Sequence, residues 1–315
     1  MKHKRGSKAY FLTSVRVAGG IVLIISFGVA FWFWNKPSPS ATDPKSAEPA
    51  SSAYDNLSLL AQSAYVLDSK TGKPLFSKNG DSQLPLASLT KIMTAVTAVS
   101  LLPRDTVLTI ASSSLKEEGD SGLFADERWR LEDLLDFTLL QSSNDGANAI
   151  AAVAGAFGKS ARADSSREEF VRAMNDKALA LGLTQTYFLN PTGLDETENI
   201  SGGYGSARDM SVLFYHAIKT YPSLFGGTRH ESREFDSLSN LKHKVKNTNT
   251  FVNAIPSLLG SKTGYTDLAG GNLTVAFDAG PDRPIVLTVL GSTEQGRFED
   301  AEKLVWATLE YLNAN

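Results

Sequence analysis

Two long apolar runs near the C-terminus, NLTVAFDA (272–279) and RPIVLTVLG (283–291), are joined by Gly280-Pro281-Asp282 and read as a hairpin of buried strands. Directly before them stands Gly260-Ser261-Lys262-Thr263-Gly264, followed by a glycine-rich stretch to Gly271. That setting places a lysine beside a sheet core, on a strand whose glycines let a ligand approach the backbone closely. The same tetrapeptide occurs earlier as Ser69-Lys70-Thr71-Gly72, between the strand-like runs Tyr65-Val66-Leu67 and Pro74-Leu75-Phe76. There it has hairpin-turn chemistry, with Gly72 free to take a positive φ, and Lys70 is expected in solvent. Only the second copy can form a site, and only if other groups face it.

Two stretches supply candidates. LPLASLTKIMTAVTAVSLL places Ser88 and Lys91 three residues apart at the start of an apolar helical run, so hydroxyl and amine share a face. Amides at such a helix start also point where an oxyanion would develop. LEDLLDFTLLQSSNDGANAIAAVAGAF is helix, polar break, helix, with Ser142-Ser143-Asn144-Asp145 as the break. Alone, Ser-x-x-Lys is more simply a helix start with a snorkelling lysine, and the break is as simply a cap. Their order is far more specific. Ser-x-x-Lys, then Ser-x-Asn, then Lys-Thr-Gly on a late strand is the motif set of penicillin-binding proteins and class A β-lactamases.

The chain resembles the low-molecular-mass penicillin-binding proteins, the serine D-alanyl-D-alanine carboxypeptidases. The likeness runs from about Tyr65 to Tyr311 and includes LPLASLTKIMTA, LLQSSNDGANAIA, FVRAMNDKALALGLTQTYFLNPTGL, YGSARDMSVL, GSKTGYTDLAGGNL and GRFEDAEKLVW. It implies an α+β fold of the β-lactamase/DD-peptidase type. Strands from both ends of the domain pair in one antiparallel sheet flanked by helices, and a mostly helical subdomain is inserted between about Ala87 and Ser211. The family's first hairpin also carries an Asp-x-x-Thr-Gly turn, which accounts for the early copy. Ser143 stands where the family usually has glycine and is expected to crowd the loop slightly.

The resemblance implies a membrane-anchored D-alanyl-D-alanine carboxypeptidase acting on peptidoglycan stem peptides. Ser88 attacks the D-Ala-D-Ala carbonyl, and Lys91 accepts its proton. For that, burial and a neighbouring cation, Lys262, must bring Lys91 to its amine form. Ser142 relays a proton to the departing D-alanine, while Asn144 binds the substrate backbone or Lys91. The amides of Ser88 and Tyr265 form the oxyanion hole, with Gly264 completing the binding strand. Thr263, Lys262 and Arg297 meet the substrate carboxylate. A surface helix start explains Arg297 equally well. β-Lactams are expected as covalent inhibitors, and no metal or organic cofactor is implied.

Rival readings are fewer. Gly119-Asp120-Ser121-Gly122 looks like a trypsin-type nucleophile loop, but His216, His230 and His243 all follow Ser121, the wrong order for that triad, and lack metal-ligand spacing. Ser121 is read as loop near the site mouth, His216 as a helix residue at the core edge, and Asp209, three places after the cap Ser206, as structural. A class A β-lactamase needs Glu-x-x-Leu-Asn; Leu189-Asn190 is present, but Thr186 stands in the glutamate's place. A DD-endopeptidase shares the same chemistry and is separated by its products. A non-catalytic penicillin-binding wall protein would not need both lysines, both serines and Asn144.

At the N-terminus, a basic segment (1–16) precedes an uncharged run, Val17 to Trp34, which ends Phe31-Trp32-Phe33-Trp34. It reads as an uncleaved transmembrane anchor with the N-terminus cytoplasmic. Residues 35–53, rich in Pro, Ser and Ala, read as a disordered linker to an extracytoplasmic catalytic domain, 54–315. Of 31 Lys/Arg and 34 Asp/Glu, seven and two fall in residues 1–53, leaving about −8 beyond them. That balance argues against a nucleic-acid partner. Cysteine is absent, which excludes disulfides and a cysteine nucleophile.

Overall fold

The computed structural model describes residues 52–116, 118–119, 121–157 and 163–314. The expected cytoplasmic segment, the apolar anchor and nearly all of the linker lie outside the described residues. Among the described residues, no helix is long and apolar enough to cross a membrane.

The first strands among the described residues form a hairpin of β1 (Ser63–Asp68) and β2 (Lys73–Lys78), turned at Gly72 with φ +72°. The early Ser-Lys-Thr-Gly is therefore a turn, and Lys70 is exposed. Asp68 ties it down by accepting from the Lys70 amide at 3.0 Å and from Arg283 at 2.9 Å.

After β3 (Leu84–Pro85) comes α1 (Thr90–Leu101), then β4 (Val107–Thr109), β5 (Arg128–Arg130), α2 (Leu131–Gln141), α3 (Asn144–Ala156) and α4 (Ala163–Ala180). The short strands β6 (Tyr187–Phe188) and β7 (Gly203–Gly205) lead into α5 (Ala207–Thr220). The β8 (Ser232–Asp236) and β9 (Lys242–Lys246) hairpin follows. The chain closes with β10 (Leu258–Thr266), β11 (Gly270–Asp278), β12 (Pro284–Ser292) and α6 (Gly296–Ala314).

The main sheet is antiparallel in the order β10-β11-β12-β1-β2, so strands from both ends of the domain do pair. Its middle strands are buried on both faces. Ala64, Val66, Val275, Leu287 and Val289 meet Leu304 and Val305 of α6, while Tyr65, Leu67, Ala276, Val286 and Leu290 join the larger core with α5. Double coverage explains the unbroken apolar runs in β11 and β12, where a half-exposed strand would alternate.

α1 is buried along its whole first part, Thr90 to Ala98, and packs against α2, α3, α4 and α5. A helix buried on every side belongs in a core. Its first turn emerges at β10, the edge strand of the sheet. That meeting of core helix and sheet edge positions the site.

Candidate active site

Ser88 lies in a one-turn 3-10 segment, Ala87–Leu89, that feeds directly into α1. Ala87 is fully buried and holds φ +48°, a left-handed backbone that costs a side-chain-bearing residue energy and persists only when its surroundings enforce it. Two glycines press on this turn. A Cβ on Gly193 would lie 1.9 Å from the Ala87 carbonyl oxygen, and one on Gly264 would lie 2.9 Å from the Leu86 oxygen and 3.1 Å from the Ser88 nitrogen. The Gly of Lys-Thr-Gly is thus required by contact with the backbone of the turn that carries Ser88.

Lys91, at 0% exposure, aims its Nζ at Ser88 Oγ at 2.9 Å, Asn144 Oδ1 at 2.7 Å and the Thr192 carbonyl at 2.7 Å. Asn144, first residue of α3, has its other amide atom fixed by donation to the Glu118 carbonyl at 2.7 Å. Of the two roles expected for Asn144, the structure shows the contact with Lys91.

Lys262 on β10 donates to Ser142 Oγ at 2.8 Å and to the Thr263 carbonyl at 2.9 Å. Burial, with Lys91 and then Arg297 adding positive charge nearby, pushes Lys262 well below the usual lysine value. Ser142 can face β10 because it caps α2 in the left-handed region at φ 64°.

The rest of the expected binding strand is in place. Thr263 donates to Thr248 Oγ1 at 2.6 Å, and the Tyr265 side chain is 47% exposed. Arg297, at the start of α6, is buried and donates from Nη1 to the Gly264 carbonyl at 2.8 Å, which ties it to β10 instead of an open helix surface. A cleft of about 350 Å³ opens beside Asn144 and Tyr265, rimmed by Glu118, Leu194, Asp195 and Asp267.

One expectation is corrected. Ser143 does not crowd its loop: its backbone is extended, at φ −61° and ψ 122°, and its hydroxyl caps α3 by accepting from the Gly146 amide at 2.9 Å. Ser121 is a buried loop residue, and its hydroxyl donates to Asp145 at 2.8 Å. Thr186 donates to Asp209 at 3.0 Å. Asp209 takes the Gln185 amide as well, while its own amide donates to the Ser206 cap. His216 is half-buried on α5.

The sequence reading missed the carbonyls of Thr192 and Glu118, together with Thr248. The first two are main-chain groups, which no side-chain motif announces.

A serine hydroxyl and a buried lysine amine at the start of a core helix, faced across a sheet edge by a second buried lysine, define a serine acyl-transfer enzyme of the β-lactamase/DD-peptidase fold. A family model described as Peptidase_S11, D-alanyl-D-alanine carboxypeptidase, matches residues 48–294, and the chain belongs to that family. It is 33% identical to D-alanyl-D-alanine carboxypeptidase DacF of Bacillus subtilis over 78% of this chain, and spans 61% of that relative's length. It is 34% identical to the D-alanyl-D-alanine endopeptidase of Pseudomonas aeruginosa over 92% of this chain and 87% of that one. Among solved structures, the Streptomyces K15 DD-transpeptidase superposes with a TM-score of 0.72 at 25% identity, over 81% of this chain and 98% of that one.

Proposed function

We propose that this protein is a D-alanyl-D-alanine carboxypeptidase that works through an acyl-enzyme on Ser88. The observation that carries this reading is the 2.9 Å contact between Lys91 Nζ and Ser88 Oγ. Asn144 Oδ1 and the Thr192 carbonyl can only accept hydrogen bonds. In the amine form of Lys91 they take its two N–H groups, and the lone pair is left towards the Ser88 hydroxyl. Ser88 Oγ then bonds to the carbonyl carbon of the penultimate D-alanine as its proton passes to Lys91. The C–N bond breaks, and the departing amine takes a proton through Ser142, which Lys262 holds in place. Water releases the acyl group and restores the hydroxyl. Amides of Ser88 and Tyr265 receive the oxyanion, and removing one such donor typically costs about 3 kcal/mol in the transition state. Thr263, Lys262 and Arg297 supply the donors and positive charge that a terminal carboxylate needs.

β-Lactams acylate the same serine and stay. Thr186 has no carboxylate to activate a deacylating water, and its hydroxyl is committed to Asp209. Residues 17–34 anchor the chain with its N-terminus cytoplasmic, and 35–53 tether the catalytic domain on the outer side. The apolar run, its basic N-terminal flank and its aromatic end support this topology.

Ser88→Ala tests the assignment. It should abolish both covalent labelling by fluorescent penicillin and D-alanine release from a pentapeptide; surviving label refutes Ser88 as nucleophile. A second reading, cleavage of crosslinks, draws on the fuller length match to the endopeptidase of P. aeruginosa. HPLC of products from pentapeptide and from crosslinked muropeptides separates the two, since a carboxypeptidase consumes the first and leaves the second.

A further inference from the structure

We propose that Asn190 is a positioning residue for the serine–lysine pair, acting through the backbone of the Pro191–Leu194 loop. The inference rests on the Ser88–Lys91 reading above and adds a residue to it.

Three successive loop residues touch one face of the catalytic helix start. The Pro191 carbonyl accepts from Thr94 Oγ1 at 2.6 Å, and the Thr192 carbonyl accepts from Lys91 Nζ at 2.7 Å. Gly193, at φ +80°, has no room for a Cβ against the Ala87 carbonyl. Lys91 and Thr94, three residues apart, share one face of α1, and Ala87 stands in the turn just before it, so the loop lies along one stripe from that turn into the helix. That stripe holds the strained residue before the nucleophile and the amine that activates it.

Asn190 sets the loop's shape. It is 2% exposed. Its Oδ1 accepts from the Thr192 amide at 3.1 Å, the Thr192 hydroxyl at 3.0 Å and the Gly193 amide at 2.7 Å. Its Nδ2 donates to the Leu194 carbonyl at 2.9 Å and to Glu196 Oε1 at 2.7 Å. Both amide hydrogens are thereby engaged within the loop. Asn190 has no N–H left to hold a hydrolytic water, although its Leu-Asn context matches the β-lactamase pattern. What it fixes is the direction of the Thr192 carbonyl, and with it the direction of the Lys91 amine.

Saturation kinetics with fluorescent penicillin on the full chain give three quantities: the number of reactive sites, the non-covalent binding constant and the acylation rate constant per site. A change in folding moves the number of sites alone. Asn190→Ala should keep the site number and binding constant near wild type and lower the acylation rate constant on the order of 100-fold, the effect of misplacing a reacting group by about 1 Å. Should Asn190→Ala fail to fold, Glu196→Ala decides. Glu196 is exposed, and its removal takes one acceptor from Asn190 Nδ2, so the rate constant should fall several-fold with the site number unchanged. An acylation rate constant equal to wild type in the folded variant overturns the proposal alone. A wild-type chain that is never labelled removes the serine–lysine reading, and the proposal with it.

Discussion

Two lysines sit buried in one site, and keeping ammonium groups there carries a thermodynamic cost. Lys262 is held well below its usual value first by burial and then by Lys91 and Arg297. A lysine whose folded value is depressed binds fewer protons in the native state than in the unfolded chain. Stability therefore rises with pH between the folded value and the unfolded one near 10.5. Lys262→Met removes that penalty. It should abolish acylation yet raise stability by about 1 kcal/mol or more at pH 7, with the advantage over wild type shrinking as pH climbs towards 10.5. Thermal melts across pH check the sign, and a variant less stable than wild type at pH 7 contradicts it. At this scale the sequence was highly legible. The meeting of Ser88 and Asn144 with Lys91, and of Ser142 with Lys262, could be anticipated from order and spacing, because a side-chain constellation leaves a residue-type signature. The Thr192 and Glu118 carbonyls leave none, since any residue supplies a carbonyl and only the loop's path decides where it points.

The elements meet at helix ends, where the local signal is the capping side chain. The break between α2 and α3 needs a left-handed residue at Ser142 and a cap at Ser143, two tasks for adjacent serines. Seen only as a replacement for glycine, Ser143 suggested crowding. Seen as a cap, it satisfies one of the orphan amides at the start of α3. Ser143→Ala should cost about 0.5–2 kcal/mol and Ser143→Gly only a few tenths, because glycine is tolerated at a cap position for backbone reasons. Urea melts of the two variants rank them, and equal losses would mean that the hydroxyl's bond to Gly146 contributes nothing. The α1 run and the β11–β12 hairpin were equally readable, the first by length and continuous apolarity, the second by its turn. The two- and three-residue strands β3, β6 and β7 were not. They are too short to show a period, and each is set by pairing with distant chain, Leu84 with Gly205 and Phe188 with Gly203.

On the scale of the whole domain, the N-terminal strand β1 lies between β12 and β2, so the sheet closes only when the last strand has arrived. Such long-range pairing needs a fastening where the two ends of the domain meet. Asp300 of α6 supplies it. Fully buried, it accepts from the Leu60 amide at 3.0 Å, the Ala61 amide at 2.8 Å and the Ser292 hydroxyl at 2.8 Å, joining the lead-in to β1, the end of β12 and α6 at one carboxylate. Pairing between the domain's ends was legible from the resemblance, but this fastening was not, because an aspartate inside a helix has no motif. Asp300→Ala leaves backbone donors buried without an acceptor and should cost on the order of 3 kcal/mol. For a domain of this size that lowers Tm by roughly 6–12 °C. Asp300→Asn keeps one acceptor oxygen and should lose less. Below the transition both variants should still be labelled at Ser88, since Asp300 touches none of the acylation machinery. A melt unchanged by Asp300→Ala would place the fastening of the two ends in the apolar contacts between sheet and α6 alone.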